Sequence, residues 1–144
     1  MHKKDRLMKI GKTNKNTLMR FPINHNQIVK FMRWGSCICH PTWLLKREVC
    51  FELQGYRKTP HCEDYDFILR AIAHGYKVGN IPKVELSYRI RQSGVSKSHE
   101  AEQFLLRDYL AKNMKQIDSL TEDAITKFLN SEKFNWQLEQ LSQL

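Results

Sequence analysis

The chain has 144 residues, of which 41% are hydrophobic and 27% charged, and its formal net charge is +9 at pH 7. This length suits one domain, and the composition excludes a low-complexity or wholly disordered protein. The sequence has no apolar run near the roughly 18 residues that a bilayer span requires, so we predict no transmembrane helix.

The positive charge is concentrated at the start of the chain. Residues 1–30 carry eight Lys and Arg side chains against a single Asp. Such a stretch suits nucleic acid, an anionic membrane face or a phosphorylated substrate. Residues 1–22 show little apolar periodicity, so we interpret them as an irregular basic lead-in, as chain termini often are. The first residues have no apolar stretch behind their charges, and we expect no secretory signal.

The four cysteines indicate a reducing compartment. Cys37, Cys39 and His40 place soft ligands together, but structural zinc sites usually space cysteine pairs by two to four residues and repeat the pair downstream. Cys50 and Cys62 stand apart from them and from each other. We therefore favour free thiols, mostly buried, over a zinc site.

The first predicted elements are short. Helical spacing begins near Asn24 and ends at Gly35. The apolar run 42–45 is consistent with a buried strand, although four residues do not distinguish a strand from a helix. A further short segment is closed by Gly55, which suits a left-handed stop.

The clearest predicted helix starts with an acidic first turn. Glu63, Asp64 and Asp66 lie where carboxylates favour the positive end of the helix dipole, and Gly75 ends the helix. Carboxylates this close raise one another's pKa unless cations offset them, and such clusters serve as metal sites or as general bases. The alternative is that these three acids only stabilise the start of the helix.

The remainder of the chain changes from strand to helix. Residues 76–78 are predicted as a strand, and residues 84–90 alternate with period two, which is typical of a half-buried strand. From about Ser98 the pattern is helical to the end, with Thr121 and Ser131 as N-caps.

Several short motifs follow one another in a fixed order. They are His40-Pro41-Thr42, Lys46-Arg47-Glu48-Val49, Gly55-Tyr56-Arg57, Glu63-Asp64-Tyr65-Asp66-Phe67-Ile68-Leu69-Arg70, Gly75-Tyr76-Lys77, Ile81-Pro82 and Tyr88-Arg89. This ordered set resembles the C-terminal half of a family 2 glycosyltransferase. The similarity runs from about Ile23 to Ser98, roughly half the chain.

The resemblance implies an α/β fold, namely a partial GT-A fold (nucleotide-diphospho-sugar transferase-like) with a helical C-terminal segment. The expected divisions are a lead-in over 1–22, an acceptor-side half over 23–98 and a helical extension over 99–144. The implied activity is that of an inverting enzyme, which transfers a sugar from a nucleotide-sugar donor to an acceptor hydroxyl. By analogy, it would act in surface polysaccharide or lipopolysaccharide biosynthesis.

The resemblance also implies site residues. Asp64 matches the general base that takes the proton of the attacking hydroxyl, and Glu63 directly precedes it. The residues expected at the substrate site are His40, Asp66, Arg89 and Arg91. Asp66 would act there as an acid behind Asp64, or as a carboxylate at the start of the helix. Many relatives carry His at the position of Arg91, and the loop 93–96 resembles a flexible segment over the active site.

Each of these residues also has a plainer interpretation. His40 next to a proline suits a turn residue with a local hydrogen bond. Arg89 and Arg91 alternate onto one strand face, where they suit either a donor diphosphate or solvent exposure and pairing with nearby acids.

The string Asp64-Tyr65-Asp66 has the Asp-x-Asp form of the family's metal motif. That motif follows a strongly apolar strand, and residues 58–62 do not form one, so we assign no metal ligand here. Mg²⁺ or Mn²⁺ is expected for the complete enzyme, but its main ligand motif and the donor-binding half would precede this sequence. The expectation is therefore a truncated or split transferase, which is inactive unless another chain supplies that half.

The expected partners are a nucleotide-sugar, a glycan or lipid-linked acceptor, and either a donor-half chain or a second copy. The expected location is cytoplasmic, with peripheral contact to the inner membrane face left open. A catalytically inactive remnant or partner-binding domain is the alternative. A nucleic-acid-binding module is disfavoured, because no recognition helix with clustered Arg and Lys stands out.

Overall fold

The computed structural model describes residues 4–10, 15–90 and 99–143, with side chains over 19–88 and 99–143. Arg91 and the loop 93–96 lie outside the described residues, and so does the side chain of Arg89.

A sheet of three strands joins the start of the chain to its middle. Strands β1 (Lys4–Ile10) and β2 (Lys15–Phe21) pair antiparallel, and β3 (Ser87–Ile90) lies parallel to β1 on its other side. The prediction of an irregular segment over 1–22 is therefore wrong for residues 4–10 and 15–21, which form strands. The parallel partner comes from more than 70 residues away, and a local pattern does not reveal such a pairing.

Helix α1 (His25–Phe31) begins where the sequence indicated. The side-chain oxygen of Asn24 accepts a hydrogen bond from the backbone N of Gln27 at 3.1 Å, which satisfies one of the free N–H groups of the first turn. Ile28 is the buried residue of this helix.

A 3-10 turn (His40–Thr42) and helix α2 (Arg47–Glu52) follow. The strand interpretation of residues 42–45 is wrong. Thr42 ends a 3-10 turn that Pro41 favours, and residues 43–45 form neither a helix nor a strand in the described chain. Leu44 is 97% exposed, so this run does not belong to the core as a whole.

Helix α3 (Glu63–Ala73) is the most buried helix of the described chain, with every residue from 65 to 71 buried. Gly75 follows it at a φ of +85°, the left-handed conformation that glycine adopts without steric cost. The prediction that this helix starts with the acidic residues and ends before Gly75 is therefore confirmed. The prediction of a strand over 76–78 is wrong, since the described residues 76–86 contain none and the backbone N of Val78 donates to Nδ1 of His25 at 3.2 Å. The strand predicted over 84–90 is confirmed for its second part, Ser87–Ile90.

Three helices make up the end of the chain, with a 3-10 turn (Met114–Gln116) between the first two. They are α4 (Glu100–Lys112), α5 (Glu122–Leu129) and α6 (Glu132–Ser142). Thr121 and Ser131 cap α5 and α6 as predicted, each accepting a hydrogen bond of 3.1 Å from a backbone N three residues later. None of the helices in the described ranges has the length and apolar character that crossing a membrane demands.

One hydrophobic core unites the central helices with these C-terminal helices. Ile28 and Leu69 from the centre, and Leu106, Leu110 and Ile125 from the end, are each at most 1% exposed. Burial of such a side chain stabilises the fold by about 1.5–3 kcal/mol. Helices α4 and α5 therefore share a core with α3, the helix that carries the acidic motif, and α6 packs against α4 and α5.

Candidate functional site

Asp66 is fully buried and forms ion pairs with two arginines, Arg57 and Arg70. Its Oδ1 accepts a hydrogen bond from Nη2 of Arg57 at 2.5 Å, and its Oδ2 accepts from Nε of Arg57 at 3.1 Å and from Nε of Arg70 at 2.8 Å. Both oxygens are therefore occupied, and the side chain is 0% exposed. Asp66 was expected among the substrate-binding residues, but the described chain gives it no open contact with a substrate, which fits the other expectation that it acts behind Asp64 or at the start of the helix.

The two arginines extend this network to backbone carbonyls. Arg70 donates to the carbonyls of Leu53 and Gly55, each at 2.7 Å. Arg57 donates to the carbonyls of Ile117, at 3.3 Å, and of Leu120. The buried network thus fixes the turn after α2 and the segment before α5 against α3.

Sequence reasoning assigned no role to Arg57 or Arg70. The spacing of Asp66 and Arg70, four residues apart on one helix, is a signal that could have identified one of these pairs. The contact of Arg57 with the segment 117–120 depends on tertiary structure and has no sequence signal.

Glu63 and Asp64 lie at the N-terminus of α3, and both are half-buried. Oε1 of Glu63 accepts a hydrogen bond from the backbone N of His61 at 3.2 Å, so Glu63 folds back on the preceding loop. Oδ1 of Asp64 accepts from the backbone N of Tyr65 at 2.8 Å. The other oxygen of Asp64 makes no hydrogen bond with the residues that the structure describes, which leaves a lone pair available to a ligand.

His40 joins an aromatic cluster beside α3, which consists of His40, Trp43, Tyr56 and Phe67. Nε2 of His40 is hydrogen-bonded to Oη of Tyr56 at 2.8 Å, and its ring lies 4.6 Å from that of Trp43. Phe67 lies 5.7 Å from Trp43 and 5.5 Å from Tyr56, measured between ring centroids. One predicted site residue, His40, is therefore connected through Trp43 and Tyr56 to Phe67, which lies on the same helix as Asp64.

Tyr56 connects this cluster to the acidic residues. Its pKa is raised, mainly because partial burial disfavours the phenolate, and further because of the nearby charges of Cys50, Asp64 and Glu63. Tyr56 therefore keeps its proton at neutral pH and can donate to His40 or to a ligand.

Two cavities flank α3. The larger, of about 590 Å³, is lined mostly by apolar side chains, including Trp43 and Phe67, with Lys46, Lys77 and Asn80 as polar neighbours. Nε1 of Trp43 is buried and has no hydrogen-bond partner among the described residues. A buried N–H donor without a partner costs free energy, which a ligand oxygen or a water molecule would offset.

The smaller cavity, of about 350 Å³, is lined by Tyr56, Arg57 and Arg70 together with acidic residues and His74. Neither of these two cavities is lined by Asp64 or Glu63. The expectation that Asp64 faces a cleft is therefore not met by either cavity in the described chain, and its role as a base stays a prediction.

The donor atoms of Asp64-Tyr65-Asp66 do not suit a metal ion. Both carboxylate oxygens of Asp66 accept hydrogen bonds from guanidinium groups. Of the two aspartates in this string, only Asp64 therefore has an oxygen that could bind a cation. Among the described residues, the His, Cys, Asp and Glu side chains close enough to share an ion are His61, His99 and Glu102. Cys37, Cys39 and His40 do not form such a group.

The predicted arginines of the third strand are only partly described. Arg89 lies opposite Lys9 in the parallel pairing of β3 with β1, so its position in the sheet is known. Its side chain and the whole of Arg91 lie outside the described residues, and their roles stay predictions.

All four cysteines lie within the described residues and are free thiols. Burial raises the pKa of Cys37 to about 11 and that of Cys62 to about 12, so both stay protonated and unreactive at neutral pH. Cys39 is half-buried and Cys50 is exposed, so the prediction of mostly buried thiols is confirmed for two of the four.

No family model matches this chain, and no solved structure matches it either. Two curated relatives do. The O-antigen biosynthesis glycosyltransferase WbnJ of Escherichia coli is 32% identical over 100 residues, which are 65% of this chain and 39% of that protein. The amylovoran biosynthesis glycosyltransferase AmsE of Erwinia amylovora is 28% identical over 83 residues, which are 58% of this chain and 31% of that protein.

The chain thus spans about a third of the length of the curated relatives it matches. Both relatives bear the name of a glycosyltransferase that builds a polysaccharide. The chain is therefore related, at low identity, to glycosyltransferases of polysaccharide biosynthesis.

Proposed function

We propose that this chain is the acceptor-side part of an inverting, family 2-like glycosyltransferase with a partial GT-A fold, which acts in surface polysaccharide or lipopolysaccharide assembly. The observation that carries the proposal is the 100-residue match to the E. coli O-antigen glycosyltransferase. The order of motifs from His40-Pro41-Thr42 to Tyr88-Arg89 supports the finer assignment.

The environments of the two aspartates support Asp64 as the general base. Asp66 is sealed between two guanidinium groups, whereas Asp64 is partly exposed and has one oxygen without a partner in the described chain. A general base must reach the proton that it removes, so only Asp64 of this pair is able to take that role. The buried network of Asp66 would hold α3, and thereby Asp64, in a fixed position.

The chemistry assigned to Asp64 is a single proton transfer. Its carboxylate takes the proton of an acceptor hydroxyl while that oxygen forms a bond to the anomeric carbon of the donor sugar. The bond from the anomeric carbon to the diphosphate oxygen breaks, and the nucleotide diphosphate leaves with the electron pair. A placed base of this kind contributes about 10²–10⁴ in rate.

The larger cavity supports the acceptor-side assignment. Its apolar lining suits the face of a sugar ring or the start of a lipid carrier. Trp43 and Phe67 belong to both this cavity and the aromatic cluster, which links the cavity to His40.

The nucleotide-binding half must come from a polypeptide segment other than these 144 residues, since positioning both reactants is a large part of the rate gain. Mg²⁺ or Mn²⁺ is expected for the complete enzyme. The Asp-x-Asp string described above does not fit such an ion, so we assign it no part in metal binding.

A chimera tests the proposal. The matched segment of the E. coli relative is replaced by this chain, and O-antigen production is measured in a strain that lacks the relative. We expect O-antigen production to be restored. Asp64→Asn should lower the rate of sugar transfer by a factor of about 10²–10⁴. The control is Asp108→Asn, since Asp108 is exposed and its ion pair with Lys112 lies on the surface. Equal activity of the Asp64→Asn and unmodified chimeras, at equal protein level, would overturn the base assignment.

A second candidate is a partner-binding domain without catalytic activity. It is favoured by the finding that neither cavity is lined by Asp64. Sugar transfer by the purified chimera distinguishes the candidates, because its donor-binding half comes from the relative. A transferase part restores transfer to an acceptor, whereas a partner-binding domain leaves donor binding without transfer.

A further inference from the structure

Two histidines and a glutamate converge beside the loop that leads into α3. The rings of His61 and His99 are stacked, with centroids 3.8 Å apart and planes 12° from parallel. Oε2 of Glu102 lies 3.3 Å from Nδ1 of His99 and 4.0 Å from Nε2 of His61. One ligand atom from each residue lies within 4.8 Å of the others, and all three side chains are half-exposed.

The backbone holds these side chains together without help from an ion. His61 has a φ of +61°, a left-handed conformation that few residues other than glycine adopt. Nε2 of Gln103 donates to the carbonyl of His61 at 2.9 Å, and Sγ of Cys62 lies 3.5 Å from the carbonyl of Gln103. His99 is the N-cap residue of α4, and Glu102 lies one turn further along the same helix.

From this geometry we propose that His61, His99 and Glu102 form a site for a divalent transition-metal ion, specifically Zn²⁺, with one position open to water or a further ligand. Two imidazoles and one carboxylate are a donor set that Zn²⁺ uses when its fourth position is open. Hard ions such as Mg²⁺ prefer oxygen ligands throughout, so this set selects against them.

Binding of an ion requires the ligand atoms, now within 4.8 Å of one another, to move closer and the rings to turn. Zn–N and Zn–O bonds of about 2.0–2.1 Å place ligand atoms about 3.4 Å apart in a tetrahedral site. The pair His99–Glu102 already has this spacing, and His61 must approach Glu102 by about half an ångström. The stacked rings must also open, because an ion lies in the plane of each imidazole that binds it. Both histidines are partly exposed, so their side chains have room to turn.

A bound ion would stabilise the region around the start of α3. It would cross-link the loop before α3 to the first turn of α4. Glu63 accepts a hydrogen bond from the backbone N of His61, so the cross-link would also fix the residue that precedes Asp64. This inference depends on the geometry of the three ligands and not on the transferase proposal.

Titration of the metal-free, full-length chain with Zn²⁺ tests the site. We expect one ion per chain, binding that is unaffected by millimolar Mg²⁺, and a higher unfolding temperature with Zn²⁺ present. His99→Gln and Glu102→Gln should each weaken binding at least tenfold. For His61 the variant is His61→Asn, because asparagine tolerates the left-handed conformation that His61 adopts.

His74→Gln is the matched control, since His74 also lies close to two carboxylates, those of Glu52 and Asp118. This variant should bind Zn²⁺ as the unmodified chain does. Co²⁺ provides a second readout in the unmodified chain, where tetrahedral coordination gives visible absorption bands and ring signals of His61 and His99 should shift in NMR spectra. Absence of binding, unchanged affinity in His99→Gln, or loss of the ion in His74→Gln would each overturn the proposal.

Discussion

Nη2 of Arg57 donates a hydrogen bond to Oδ1 of Asp66 at 2.5 Å, although the two residues are nine positions apart and only Asp66 lies on a helix. Arg57 also donates to the carbonyls of Ile117 and Leu120, so this pair connects the turn after α2 and helix α3 to the segment that precedes α5. The acidic motif therefore combines one structural aspartate with one accessible aspartate.

Replacement of Asp66 by Asn should destabilise the protein strongly. The variant leaves Arg57 and Arg70 as buried charges without an anion, and loss of one partner of a buried ion pair costs about 3–5 kcal/mol. Urea unfolding followed by circular dichroism gives the free energy of unfolding. Asp108→Asn, which removes an exposed pair with Lys112, should change it by about 0.5 kcal/mol or less. A similar value for both variants would contradict the anchoring role of Asp66.

Replacement of Gly75 by Ala should cost stability through backbone conformation alone. Gly75 has a φ of +85°, and nothing lies within 4 Å of the position that a Cβ would occupy. The left-handed conformation costs a residue with a Cβ about 1–2 kcal/mol. Gly35→Ala is the control, because its site is equally open and its φ is not in the left-handed range. Thermal unfolding should therefore separate the two variants, and equal melting temperatures would refute this explanation.

Stability should fall in alkaline solution, with Cys37 as one cause. Burial raises the pKa of this thiol from 9.0 to about 11. Above pH 9 the unfolded chain releases the proton while the folded chain keeps it, so the contribution to stability is present below pH 9 and is lost as the pH rises towards 11.

Cys37→Ala should make this decline shallower by at most about 1.4 kcal/mol per pH unit. Urea unfolding between pH 8 and 11 measures the slope. Cys50→Ala, at an exposed position, should leave the slope as it is. A slope that responds to Cys50 and not to Cys37 would exclude burial of Cys37 as a cause.

The N-cap of α5 should contribute measurably. Oγ1 of Thr121 accepts the hydrogen bond from the backbone N of Ala124, and loss of such a cap costs about 1 kcal/mol. Thr121→Ala should therefore lower the free energy of unfolding by that amount. Thr126→Ala, inside the same helix and exposed, should leave it unchanged or raise it slightly, because alanine is the better helix former. An equal loss in both variants would contradict the cap as the source.

The sequence alone located those features that depend on neighbouring residues. The start of α1 at Asn24, the ends of α3, and the caps at Thr121 and Ser131 were all predicted, since a cap or a left-handed glycine acts within one helical turn. The motif order that indicated a glycosyltransferase is likewise a property of the linear chain, and the two curated relatives support that relationship.

Only the tertiary structure decided which of the acidic residues is available and which is structural. Asp64 and Asp66 differ by two positions and look equivalent in the sequence, but half a helical turn places one beside two arginines in the core and the other nearer the surface. Two other features also depend on contacts between distant residues. They are the pairing of β1 with β3 and the stacking of His61 on His99. Contacts between residues far apart in the chain form because the core brings their elements together, and no local pattern of residues encodes that arrangement.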